Sequence, residues 1–168
     1  MDAFTTPLLT GSATGAILLM AALGLTLTFG QMGVINMANG EFLMAGAYAT
    51  YVTQQVITGT GISVIAAIPV AFLVTGLLGL LLEVTVIQWM YKRPLDTLLA
   101  TVGVALVLQQ LARDLFGAQG DPVVPPSWLG GSIDVFGYAW PHRQLFTIVL
   151  ALAAVGLLHA GLKYTPFG

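Results

Sequence analysis

The polar side chains able to do chemistry in this sequence are few, and four of them stand close together in GQMGVINMANGEF, Gly30 to Phe42. Gln31, Asn36, Asn39 and Glu41 alternate there with Met32, Val34, Ile35, Met37 and Phe42. Amides and a carboxylate at such spacing suit hydrogen bonding to an uncharged solute rather than bond cleavage. A solvated loop seldom tolerates so many large apolar neighbours, so the stretch reads as half inside a membrane. Asn36 and Asn39 are three residues apart, one helical turn, and Tyr48, seven after Glu41, returns to the same face, so that together they are able to line a polar track. For each residue alone there is a plainer reading, in which the asparagines cap a broken helix and Tyr48 packs. Discontinuous helices at mid-membrane are nonetheless a recurrent device of transporters. Glu41 falls in the first turns of a helix starting near Asn36, where the positive end of the helix dipole favours a carboxylate. It serves there either as a path-side or inter-subunit hydrogen-bonding group or as a plain charge at the membrane interface.

Elsewhere, Glu83 sits in an apolar run where an unpaired carboxylate is expensive, so a polar partner on a neighbouring helix is expected. Gln109 and Gln110 precede Arg113 and Asp114, and either line an outer vestibule or bond helix to helix. His142 and His159 are far apart with no metal-ligand partners at useful spacing, and there is no G-x-S-x-G, H-E-x-x-H or phosphate-binding loop pattern. His159 reads as an interfacial or packed side chain. The pattern predicts neither an enzyme nor a cofactor or metal.

The elements that must position these residues follow from composition. The 168 residues are 57% hydrophobic and 7% charged, against roughly 25% charged in an ordinary soluble domain. That is an integral membrane protein. Five basic and seven acidic residues, net charge −2, leave no basic patch for nucleic acid, and there is no cysteine for disulfides or thiolate sites. The beginning carries Asp2 and no nearby Lys or Arg, unlike a cleaved signal peptide, so the first apolar run is expected to remain as a helix.

Runs long enough to cross a hydrocarbon core of about 30 Å give an all-α, polytopic helix bundle of about five transmembrane helices. The expected spans are 8–29, 36–57, 62–91, 97–116 and 144–162, with a broken or re-entrant segment near 30–42 and an extracytoplasmic loop over 117–143. The second span is long enough only if it starts near Asn36. Gly11 and Gly15 form a GxxxG pair suited to a close helix crossing, or simply reflect the glycine content of membrane helices. Pro69 should kink or start the third span, whose end carries Trp89 and Tyr91 as interfacial anchors. Lys92, Arg93 and Pro94 mark a boundary, with Asp96 or Thr97 as the cap of the next helix. SIDVFGYAW, Ser132 to Trp140, suits a short hairpin. The adjacent Lys92 and Arg93 in a short loop place that loop in the cytoplasm, with the amino terminus outside and the carboxyl terminus inside.

MGVINMANGEFLMAGAYATYV, Met32 to Val52, resembles the signature segment of the branched-chain amino acid type ABC transporter permeases, which include urea and short-chain amide permeases. RPLDTLLATVGVALVLQQLARDLFG (Arg93 to Gly117), PSWLGG (Pro126 to Gly131) and KYTPFG (Lys163 to Gly168) look most like the urea-transporting member. The resemblance implies a subunit that forms a translocation path with a second permease subunit, driven by two cytoplasmic ATPases and supplied by a periplasmic binding protein, in the bacterial inner membrane. It implies urea as the first substrate, with branched-chain amino acids or short-chain amides as alternatives. Asn36, Asn39, Gly40 and Glu41 match the family's signature turn, and Gly46, Ala47 and Tyr48 the GAY that follows. Asn39 stands where the family commonly has histidine, keeping a hydrogen-bonding group without a titratable one. Family members continue past Phe167-Gly168 into a basic cytoplasmic loop and further spans, so the sequence is expected to be an amino-terminal half. A reading of another class is a structural membrane subunit or remnant that conducts nothing.

Overall fold

The computed structural model describes residues 2–57, 62–91, 93–117, 123, 125–135 and 138–164. Expectations resting on Lys92, Asp121 or Thr165 to Gly168 lie outside them. Five long helices follow in order: α1 (Asp2–Met32), α2 (Asn39–Val56), α3 (Ile62–Thr85), α4 (Pro94–Phe116) and α5 (His142–Tyr164). A two-stranded hairpin, β1 (Ser132–Val135) and β2 (Tyr138–Pro141), precedes α5. Among the described residues, four stretches, Pro7–Met32, Ile62–Trp89, Pro94–Phe116 and His142–Lys163, are long and apolar enough to cross a membrane. The 18-residue α2, which carries Asn39, Glu41, Thr50, Thr53, Gln54 and Gln55, is not among these four. The protein is thus an all-α membrane helix bundle, and its helices expose large apolar side chains outward, such as Phe72 (76% exposed) and Leu106 (62%). Those surfaces suit lipid or further protein.

The chain divides into two compact units. In the unit of residues 24–126, α1 contributes its last turns. Thr28 donates its hydroxyl to the carbonyls of Gly24 and Leu25, satisfying in place a polar group that an apolar helix otherwise penalises. The helix ends at Gly33, whose φ of +65 is a left-handed backbone that glycine adopts without strain, and whose N–H bonds Phe29 O at 2.9 Å. Residues 33–38 are then non-helical. Within them Val34 is buried against Leu82 and Ile87, with Met32, Phe42, Val86 and Val104 packed around. The end of α3 therefore lies beside the start of α2. Farther along, Gly46 of α2 lies 3.5 Å, measured from a Cβ built upon it, from Thr75 of α3. The pairing of 34 with 82 and 46 with 75 makes α2 and α3 antiparallel.

Several boundaries differ from the sequence reading. Asn36 does not start the second helix: its Oδ1 accepts from Ala38 N–H at 3.0 Å, a local turn that competes with helix, and α2 begins at Asn39. Pro69 lies inside α3 and does not begin it. After Thr85 the chain tightens into a 3-10 turn, Ile87–Trp89, with Met90 N–H to Ile87 O and Arg93 N–H to Met90 O, both 2.8 Å. The α4 helix starts at Pro94, three residues earlier than expected, and neither Asp96 nor Thr97 caps it. Arg93 holds the cap position without a side-chain capping bond, and proline in the first turn has no N–H to satisfy. Thr97, fully buried, instead donates to the carbonyls of Met90 and Arg93.

In the unit of residues 1–23 and 127–168, the expected hairpin is present, pairing Ser132 with Pro141 and Ile133 with Trp140. His142 N–H bonds Gly131 O at 2.9 Å, tying the start of α5 to the hairpin base. Trp128 meets Phe146 edge to face at 5.6 Å. Gly11 and Gly15 make no close crossing within this chain, since a Cβ at either meets nothing within 4 Å; the buried small residues of α1 are Ala13 and Ala16.

Candidate functional site

The backbone of the non-helical linker is held by a helix 64 positions away in the chain. Thr101 on α4, fully buried, accepts at Oγ1 from Met37 N–H at 3.1 Å and donates to Leu98 O at 3.0 Å, with Ile35 O 3.5 Å away. Thr101 is seven residues into α4, about 10 Å from its start at the helical rise. Leu82, which packs on Val34, lies a similar distance inside the end of the Ile62–Trp89 stretch. The linker thus sits well inside both flanking apolar helices. Val34, Asn36 and Ala38 are all buried.

From there α2 and α4 run parallel. Met37 faces Thr101, Glu41 accepts at Oε1 from Gln109 Nε2 at 2.7 Å, and Tyr48 stacks on Phe116 with ring centroids 4.2 Å apart. The increments of seven from 41 to 48 and from 109 to 116 keep one face of each helix on the other for two turns. Between α2, α3 and α4 lies a cavity of about 330 Å³. Glu41 and Tyr48 line it with Thr53, and the rest of its wall is apolar, including Met44, Val70, Val74, Leu108 and Leu111. A second cavity of about 170 Å³ adjoins it, sharing Leu78 and Leu108 and extending toward Thr85 and Val86. The cavity wall offers one carboxylate, one phenol and one hydroxyl, from Glu41, Tyr48 and Thr53, at the edge of apolar volume, parts able to orient a small molecule.

The residues of the expected polar track separate into two groups. Glu41 and Tyr48 share the cavity, and Gln109 bonds Glu41 from helix to helix. Asn36 turns onto Ala38, and Asn39 packs toward α1: its Oδ1 lies 3.1 Å from where a Cβ on Gly24 would stand. Asn36 and Asn39 therefore do not share a helical face with Tyr48, because Asn36 precedes the helix. A Cβ on Gly40, by contrast, meets open space. Gln31 is exposed near the end of α1. Gln110 donates to Asp114 at 2.9 Å on the exposed face of α4. Glu83 has its partner not on a neighbouring helix but just beyond its own, where the Tyr91 hydroxyl donates to Oε1. That bond, then desolvation and the Glu83 charge, hold the Tyr91 phenol above its ordinary value. No group of three metal-ligating side chains occurs among the described residues.

The sequence reading names Thr97 only as a possible helix cap and does not single out Thr101. Their signal is present in it: two threonines four apart on one face of an apolar helix, the spacing and residue type that let helices and backbone approach closely.

The chain is 22% identical over 179 residues to the high-affinity branched-chain amino acid transport system permease protein LivH of Salmonella typhimurium, covering 98% of this chain and 56% of that protein. It is 23% identical over 152 residues to the corresponding permease protein BraD of Pseudomonas aeruginosa, covering 85% of this chain and 50% of that protein. The chain thus spans about half the length of the curated relatives it matches. No solved structure matches it. The family described as branched-chain amino acid transport system, permease component, matches residues 8–168, and the chain belongs to that family.

Proposed function

We propose that this chain supplies translocation helices to an ABC importer of a small solute bearing adjacent N–H and C=O groups, urea first. The observation that carries the reading is the Glu41 carboxylate on the wall of the α2–α4 cavity, an acceptor for the N–H groups of a planar amide that the bond from Gln109 holds in place. The likeness of Arg93 to Gly117 and Pro126 to Gly131 to the urea-transporting member supports the substrate. Residues 33–38 act as a break at membrane depth that sets Glu41 at the mouth of α2. A second permease subunit, cytoplasmic ATPases and a periplasmic binding protein complete the machine in the bacterial inner membrane, with the amino terminus outside and the carboxyl terminus cytoplasmic.

The apolar wall favours a second reading. A branched aliphatic side chain gains from burial against Val70, Val74, Leu108 and Leu111, whereas urea gains little. The names of LivH and BraD agree with that reading.

Uptake by the complete transporter with its binding protein and ATPases separates the two. Labelled urea uptake competed by small amides and indifferent to leucine supports urea. Leucine uptake, or strong leucine competition, moves the assignment to the second reading. ATP-dependent uptake of neither class refutes the proposal.

A further inference from the structure

Among the described residues, Glu41 is the one charged side chain lining the α2–α4 cavity, and no lysine, arginine or histidine lines either that cavity or the adjoining one. Its side-chain partner is neutral: the Gln109 amide takes Oε1 at 2.7 Å. Oε2 has no hydrogen bond among the described residues, and it is not enclosed, since the buried side-chain oxygens without a partner are those of Glu83 and Gln144. The described arginines of residues 24–126 are engaged or exposed elsewhere. Arg93 pairs with Asp96 at 3.4 Å, and Arg113 stands exposed on α4 beside Asp114. A carboxylate on an apolar wall is expensive unless positive charge is supplied. The first turn of α2 supplies it in part, because a helix amino terminus is equivalent to about half a positive charge. The remainder leaves the cavity net negative, and its other walls, with Met44, Val74, Leu108 and Leu111, screen charge far less than water does.

We propose that this cavity is a binding site for an organic monocation with a compact branched alkyl tail, its primary ammonium on Glu41 Oε2 and its tail against α3 and α4. The inference rests on the proposed function only in taking Glu41 as the polar group of the site, and it asks for a ligand of different charge. An ammonium brings three donors and a full positive charge to an oxygen that has neither. A neutral amide supplies the hydrogen bond without the charge. A zwitterion is served less well, because its own carboxylate enters an apolar wall beside Glu41 with no cation to receive it.

The probe is 3-methylbutylammonium, titrated by calorimetry at about pH 7, where a primary amine is protonated. The full-length protein is held in phosphatidylcholine nanodiscs, and empty nanodiscs correct for partition into lipid. One site per chain is expected. 3-Methylbutan-1-ol keeps the tail with a neutral head, and leucine keeps tail and ammonium but adds a carboxylate. Each should bind at least about tenfold more weakly, the lower end of what a charge-assisted hydrogen bond supplies. Ethylammonium, which leaves the apolar wall uncovered, should also bind about tenfold more weakly. Glu41→Gln should weaken the ammonium by a similar factor and leave the alcohol unchanged. The head-group comparison is made on the unmodified protein, so it decides the matter even where Glu41→Gln fails to fold. No ammonium binding, alcohol or leucine binding as tight as the ammonium, or a folded Glu41→Gln that binds the ammonium normally overturns the site. Uptake by the complete transporter is the separate readout. Ammonium binding that does not compete with urea or leucine uptake leaves the cation site standing and removes Glu41 from the solute path; intact uptake with no ammonium binding overturns the cation site alone.

Discussion

Thr101→Val removes one hydroxyl and almost no volume, and it isolates the bond that fixes the linker to α4. The hydroxyl accepts from Met37 N–H at 3.1 Å, and its loss leaves that N–H with no acceptor from α4. Thr101 itself is fully buried. Leaving a buried donor unpaired costs about 1–3 kcal/mol, and because Met37 is half exposed the lower part of that range applies, about 1–2 kcal/mol or roughly a 5- to 30-fold change in the folded ratio. Thr101→Ser keeps the hydroxyl and loses one methyl, worth about 0.8 kcal/mol, so it should fall between wild type and Thr101→Val. Asn36→Ala removes the neighbouring bond to Ala38 N–H, and the double variant should be non-additive because both bonds hold the same six residues. Reversible unfolding of the full-length protein in bicelles reads all four. A Thr101→Val protein within about 0.5 kcal/mol of wild type, the range of ordinary surface changes, would refute the view that α4 sets the linker.

Gly24→Ala should destabilise the junction of α1 with α2, since its Cβ would stand 3.1 Å from Asn39 Oδ1, and pairing it with Asn39→Ala should restore stability in the same unfolding assay. For topology, a thiol at Ser132 should be labelled by an impermeant reagent from outside and one at Leu95 only from inside; opposite labelling would reverse the orientation. Leu95 is 80% exposed, whereas a thiol at the neighbouring, fully buried Thr97 would be silent from either side.

How far the sequence could be read depends on whether the interaction was local. The hairpin at Ser132 to Pro141 and the helix boundary at Pro94 follow from residue types a few positions apart, and the structure places both close to expectation. The start of α2 was misplaced because the span was extended back to Asn36 to reach membrane length. The local preference of an asparagine side chain for the N–H two residues on won instead. Glu41 and Tyr48 could be recognised individually, but their partners Gln109 and Phe116 lie 68 positions away and become visible only once α2 and α4 are seen to run parallel. Helical periodicity says which residues share a face and nothing about which helix that face meets.

The central claim is that solute passes along the α2 face that bears Glu41. Uptake by the full-length transporter carrying Glu41→Gln, at matched membrane expression, tests it most directly. Reduced transport is expected although the bundle still assembles, because Glu41 lines the cavity and the amide weakens its bond from Gln109, of a kind worth about 1.5–3 kcal/mol. Near-normal uptake by Glu41→Gln would contradict it.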